Sequence, residues 1–276
     1  MTVSVIGLGL MGGSLALALK NAKIPTKITG YDNSDINAQT ALKLALVDEI
    51  VTIESAATAD VIILAVPVEA SVEILSTLKL KNSATTIIDL GSTKERISNL
   101  CPPQIRQNFV AAHPMTGTEY SGPTAARADL YDGKTVVLCD LQKSGLAQVD
   151  VARMIFKAIG MQIVEMDSSV HDLHASFISH LPHLLSFSIA NTVLAQEDTQ
   201  SILALAAGGF TDMSRLAKSS PAMWREIFIQ NKANMLECIS AFKGELSKFE
   251  SALESSSSEE LTKLMQNANE LYKIFK

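Results

Sequence analysis

The first twenty residues constrain the chain more than any other stretch. Val3-Ser4-Val5-Ile6 is a short run rich in β-branched residues. It leads into Gly7-Leu8-Gly9-Leu10-Met11-Gly12, and then into the helix-forming Gly13-Ser14-Leu15-Ala16-Leu17-Ala18-Leu19. A strand, a glycine turn and a helix in direct succession give G-x-G-x-x-G its meaning. Gly7 makes the turn, Gly9 lets backbone approach a pyrophosphate, and Gly12 lets the helix pack on the strand. The phosphates then meet the N–H groups of Leu10, Met11 and Gly12 at the positive end of the new helix. A second strand, Lys27 to Asp32, ends on an acidic residue 20 positions past Gly12. Asp32 is placed to accept hydrogen bonds from the adenosine ribose hydroxyls and to repel a 2′-phosphate, which favours NAD over NADP. Asn33-Ser34 follow with no basic residue to greet such a phosphate.

The pattern then alternates. Helical spacing over Asn37 to Leu46 precedes a short strand at Ile50-Val51-Thr52. Asp60 to Pro67 is an apolar strand of the kind buried on both faces of a parallel sheet. Pro67 stops it, which puts Val66 and Pro67 beside the cofactor. Helix Val72–Leu78, strand Thr86–Gly91, a helix through Ile97, strand Phe109–Ala112, and strands Thr135–Cys139 and Gln162–Met166 around a helix complete a doubly wound sheet. In that fold ligands lie outside the carboxyl ends of the strands. Ser92 falls at one such end, where it is equally suited to capping the next helix. Lys94 reads as a solvated first-turn residue. His113 falls at another strand end, at the head of the polar loop His113-Pro114-Met115-Thr116-Gly117-Thr118-Glu119, and is a candidate proton acceptor.

After Asp167 the reading turns helical, which predicts a dinucleotide-binding domain over 1–168 and an all-α domain over 169–276. Four of the five histidines lie at its start: His171, His174, His180 and His183. Two H-x-x-H pairs invite a metal, but Pro182 interrupts the second and no cysteine or carboxylate cluster completes a set, so none is expected. His171 and His174 suit a surface or interdomain role. Pro182 predicts a kink at Ser179-His180-Leu181-Pro182-His183, which would turn polar side chains into a cavity. Farther on, Arg215 offers a planar fork for a carboxylate if it faces the cleft, and a surface ion pair otherwise. Trp224 reads as a packing anchor. One long helix is predicted from Pro221 to about Leu253, with Gln230, Asn231 and Asn234 as a polar seam. Ser257 and Glu260 fit a capping box for a last helix whose apolar stripe ends at Phe275.

Composition narrows the class. The 276 residues carry a net charge of −6 without a basic block, which argues against a nucleic-acid partner. Three scattered cysteines fit a reducing compartment. No apolar run matches a membrane span, and the first strand begins too early for a signal peptide, so a cytoplasmic protein is expected.

These residues resemble the prephenate dehydrogenase family. The resemblance rests on Gly7 to Ser14, Asp89-Leu90-Gly91-Ser92-Thr93-Lys94, His113 to Glu119, Ser179 to His183, and Gly208-Gly209-Phe210 through Arg215 to Pro221-Ala222-Met223-Trp224. It implies NAD-dependent oxidative decarboxylation of prephenate to 4-hydroxyphenylpyruvate, on the route to tyrosine. It also implies a homodimer formed through the helical domain. His113 then matches the residue that takes the proton of the ring hydroxyl, and Ser92 one that holds that hydroxyl and the nicotinamide. His183 and Arg215 match substrate-binding positions, Arg215 for the side-chain carboxylate. Ser179, His180, Thr118 and Glu119 would line the same pocket, Glu119 as a gate near Arg215. No appended chorismate mutase segment and no further regulatory domain are expected. Arogenate is the alternative substrate. A β-hydroxyacid dehydrogenase would need a lysine in a G-x-x-x-K setting, which Lys218 does not provide. A non-catalytic NAD sensor would leave His113, Ser92 and Arg215 together without a reason.

Overall fold

The computed structural model describes residues 1–118 and 120–274. Eight strands form a single sheet: β1 (Thr2–Ile6), β2 (Lys27–Tyr31), β3 (Glu49–Ile50), β4 (Val61–Leu64), β5 (Thr86–Asp89), β6 (Phe109–Pro114), β7 (Thr135–Cys139) and β8 (Gln162–Met166). Their order is β3-β2-β1-β4-β5-β6-β7-β8. The first six run parallel, β7 is antiparallel to β6, and β8 is parallel to β7. The order reverses between β1 and β4, and such a switch point opens a crevice for a ligand. Helices α1 (Leu10–Asn21), α2 (Asp35–Lys43), α3 (Ile53–Ala56), α4 (Val68–Thr77), α5 (Glu95–Leu100) and α6 (Leu146–Ala158) connect the strands. The Rossmann-type doubly wound sheet expected from the alternation is present.

The strands are buried because apolar side chains leave both faces. On β4, Val61 and Ile63 join one core cluster while Ile62 and Leu64 join the other. A parallel sheet with helices on both sides requires this run of four apolar residues, since neither face meets water.

From Ser168 on, the described chain is helical apart from short connections. α7 (Ser168–Ala175) runs through a π-helical turn at Ser176–His180 into α8 (Leu181–Leu194). Pro182 has no N–H to donate to the carbonyl four residues back, so the α pattern cannot pass through it unchanged. The expected interruption takes the form of a widened turn, which leaves His180 buried. α9 (Thr199–Ala204) and α10 (Gly208–Ser214) follow, with a 3-10 turn over Arg215–Lys218. α11 (Pro221–Gln230), α12 (Lys232–Glu254), α13 (Ser258–Asn269) and α14 (Leu271–Ile274) end the described chain.

The single long helix predicted from Pro221 is therefore two. Asn231, at φ −103° and ψ 28°, breaks it. Its amide is drawn away to partners on other elements: Nδ2 donates to the Asp172 carbonyl at 2.7 Å and lies 3.1 Å from His180 Nδ1. Of the polar seam predicted there, Gln230 meets the sheet domain, whereas Asn231 and Asn234 bond within the helical half. Thr93 Oγ1 donates to Gln230 Oε1 at 2.6 Å, and Gln230 Nε2 donates to Glu69 at 3.1 Å. Ser257 caps α13 by accepting the Glu260 N–H at 3.3 Å. Phe275, the end of the predicted apolar stripe, lies outside the described residues. Among the described residues, no helix is long and apolar enough to cross a membrane.

Candidate active site

The glycine loop sits on the crevice between β1 and β4. Gly7 has φ +94°, a conformation that favours glycine, and a Cβ there would stand 2.7 Å from Val66 Cγ1 and against the Ala65 carbonyl. A Cβ on Gly12 would strike the Gly7 carbonyl and Val5. Gly9 differs, because its Cβ would meet nothing within 4 Å. Two glycines thus allow packing, and the third leaves open space at the N-terminus of α1. That helix has no acidic residue in its first turn, so its leading N–H groups remain available to an anion. Asp32, just past β2, accepts the Leu8 N–H at 2.8 Å through Oδ2 and the Ser34 N–H at 2.9 Å through Oδ1. Val66 is half-buried against the loop, and exposed Pro67 precedes α4. The cradle fits a dinucleotide: a turn that only glycine allows, an open approach, a helix end, and a carboxylate at the tip of the neighbouring strand.

Along the same edge, β5 and β6 deliver the second group. His113 lies within β6, one residue before its end, rather than in the loop beyond, and is 8% exposed. Its Nδ1 lies 2.8 Å from His171 Nε2. His171 Nδ1 lies 2.8 Å from Asp172 Oδ1. Both residues come from α7 and are buried. Asp172 also accepts the Lys94 N–H at 2.8 Å and the Glu95 N–H at 3.0 Å, so it caps α5 from across the domain junction. Burial holds His113 well below the usual histidine range, and the Lys94 charge acts in the same direction, as any positive charge on His171 or His180 would.

Two readings of this region change. Ser92 is not the cap of α5: the cap position is Lys94 and the capping carboxylate is that of Asp172. Ser92 is half-buried just past β5, beside the His113 strand. Lys94 is not solvated, for its side chain is fully buried. It pairs with Asp89, also fully buried, and donates to the Ala112 carbonyl at 2.8 Å. The H-x-x-H pair also parts company, since His171 is buried at the junction and His174 is exposed.

The opposite wall comes from the helices. His183 stacks on Trp224 with ring centroids 3.6 Å apart and planes at 23°. His180 meets the same indole edge-on at 6.0 Å. The Asn231 Nδ2 that donates to the Asp172 carbonyl also faces His180 Nδ1, which must therefore accept, so in the neutral ring the proton sits on Nε2. His180 Nε2 and Trp224 Nε1 are buried without a hydrogen-bond partner. Two orphaned donors of this kind call for an acceptor. Burial lowers His180 to about 4, with Asp172 pulling the other way. Burial also lowers His183. The Ser179 carbonyl opposes this, accepting from Nδ1 at 2.9 Å, and the Arg215 charge adds to it. The 3-10 turn that carries Arg215 packs on α8, which carries His183. Arg215 is exposed. Ser179 and Thr118 are half-buried, and Thr118 Oγ1 accepts the Tyr120 N–H at 3.3 Å. Glu119 lies outside the described residues.

Family models match both halves of the chain. Residues 15–165 match the nucleotide-binding domain of prephenate dehydrogenase, and residues 167–267 its dimerization domain. The chain belongs to the prephenate dehydrogenase family. The prephenate dehydrogenase of Bacillus subtilis is 34% identical over 98% of this chain and 74% of its own length. The cyclohexadienyl dehydrogenase of Zymomonas mobilis is 29% identical over 92% of this chain and 88% of its own. Among solved structures, the prephenate dehydrogenase of A. aeolicus in complex with hydroxyphenyl propionate and NAD+ superposes with a TM-score of 0.93, at 29% identity, over 100% of this chain and 98% of that one. The residues that sequence reasoning missed in this family site are Lys94, His171 and Asp172. Their signal was faint: an Asp89 five positions before Lys94 at a strand end, and an acidic residue directly after His171.

Proposed function

We propose that this chain is an NAD-dependent prephenate dehydrogenase, converting prephenate to 4-hydroxyphenylpyruvate and CO2 on the route to tyrosine. One observation carries the assignment of roles. His113 is a buried histidine at the end of β6, kept uncharged by its surroundings, on the strand that pairs with β5, which Ser92 follows, and at the same sheet edge as the dinucleotide cradle. An uncharged imidazole is a base ready to act.

Gly7, Gly9, Leu10, Met11 and Gly12 would hold the cofactor phosphates, Asp32 its ribose, and Val66, Pro67 and Ser92 the remaining wall. Bound there, NAD supplies a hydride acceptor. His113 takes the proton of the ring hydroxyl as the hydride leaves the carbinol carbon. The ring carboxylate departs as CO2 while the ring becomes aromatic, so the protein has only to orient its substrate and balance charge. Ser92 holds the hydroxyl toward His113. His180 Nε2–H and Trp224 Nε1–H are buried donors suited to an anionic substrate's oxygens. Arg215, on the turn packed against the helix that carries His183, provides a fork for the side-chain carboxylate. Thr118, Ser179 and Glu119 complete the pocket.

The helical half leaves Phe177, Ile178, Leu194, Ile202, Leu203 and Leu205 exposed. Apolar surface of this extent is suited to a second copy of the chain, which supports a homodimer through residues 169–276. Turnover of prephenate and of arogenate, each with NAD and with NADP, tests the assignment. Prephenate with NAD is expected to give the highest kcat/KM. Preference for arogenate would move the chain to the alternative substrate, and equal use of NADP would remove the role given to Asp32.

A further inference from the structure

Building on the reading of His113 as the base, we infer that His171, held by Asp172, is a positioning residue that fixes the imidazole of His113 with its proton on Nδ1 and leaves Nε2 open to the substrate. With His171 neutral, the hydrogen bonds set this order. Asp172 is acceptor-only when ionised, and it already receives two backbone N–H groups from the start of α5. The bond between His171 Nδ1 and Asp172 Oδ1 therefore needs the proton on His171 Nδ1. In a neutral His171 the other nitrogen, Nε2, is then an acceptor. The nitrogen facing it at 2.8 Å is His113 Nδ1, which must donate. A neutral His113 with its proton on Nδ1 has its lone pair on Nε2.

The other tautomer would place an N–H where the base must be and leave two acceptors facing each other at hydrogen-bond distance. The arrangement is rigid. His113 is on a central strand, His171 and Asp172 are on α7, and Asp172 is tied by its side chain to α5 and by its carbonyl to Asn231. As His113 gains a proton its Nδ1–H bond becomes charge-assisted and shortens the path of that charge toward Asp172. No net proton passes to His171 or Asp172. The proton from the hydroxyl stays on His113 Nε2 and returns to the phenolate oxygen that loss of CO2 leaves, so the product departs as the phenol and the imidazole is neutral again.

Two measurements test this. In protein carrying 15N-labelled histidine at about pH 8, NMR of the enzyme should show His113 as the Nδ1-protonated neutral tautomer, assigned by loss of its signals in His113→Asn. An Nε2-protonated His113 would overturn the inference whatever the activity. In kinetics, His171→Leu is expected to lower kcat by roughly 10²-fold, the scale of a misplaced catalytic group, with the KM for prephenate within about threefold. His171→Gln, which can accept from His113 and donate to Asp172, is expected to recover most of that loss. Wild-type kcat in His171→Leu beside a collapsed His113→Asn would refute the positioning role alone. Near-normal turnover in both variants would refute the base itself.

Discussion

Replacing His113 by asparagine keeps a polar side chain of similar reach but removes the base. An acid–base residue contributes ~10²–10⁴-fold, so kcat for prephenate is expected to fall by that factor while KM changes little. Steady-state kinetics with saturating NAD will show it. Arg215 sits at the other extreme of exposure. Arg215→Ala should leave the fold and NAD binding intact and raise the KM for prephenate, as loss of a carboxylate partner does. An unchanged KM removes it from the pocket. At this scale the strand-end positions of His113 and Asp32 were legible in the sequence. Side chains whose role comes from a partner far along the chain were concealed. Lys94 follows Ser92-Thr93 and precedes Glu95, which reads as the open first turn of a helix. Its burial arises because β6 presents the Ala112 carbonyl and β5 presents Asp89. His171 was masked in the same way by His174, a neighbour that suggests a metal pair yet faces solvent.

At the scale of elements, the glycine loop separates packing from binding. Gly12→Ala would force a methyl onto the Gly7 carbonyl and should lower Tm. Gly9→Ala adds a methyl to open space, so Tm should hold within about a degree while the KM for NAD rises. Thermal melts of the two variants beside NAD titrations will separate the effects. Strands were legible because apolar runs bounded by glycine and proline have few other uses. The long helix after Pro221 was legible in kind but not in extent. Its apolar spacing passes through Asn231 without a fault, and only the Asp172 carbonyl and His180 Nδ1, both supplied by α7 and its π turn, make a break there favourable. Asn231→Ala would leave buried polar groups unpaired, at about 1–3 kcal/mol, and differential scanning calorimetry should find a lower Tm.

For the whole molecule, the clustering of uncharged histidines between the two halves ties stability to pH. His180 is lowered to about 4 from a usual 6.5, and His113 and His183 are lowered too. Below 6.5 the unfolded chain binds protons that the folded chain refuses. Folding therefore loses stability as pH falls from about 6.5 to about 4, by on the order of 3 kcal/mol from His180 alone. A falling Tm across that window is expected, with a shallower fall in His180→Gln. The activity profile follows the same sign. A base with a depressed pKa stays active through neutral pH, so kcat/KM should decline only in acid, below the usual histidine value.

The Asp89–Lys94 pair has a consequence for how such a chain can change by descent. Each member alone is an uncompensated charge in the core, and removing one partner of a buried pair costs about 3–5 kcal/mol, much of what holds a domain folded. Asp89→Asn or Lys94→Met should each express poorly, whereas the double variant should melt closer to the parent. A lineage can discard the pair only in one step, or after gaining stability elsewhere. Two residues five apart on the page are in effect a single inherited character, and they travel through mutation together.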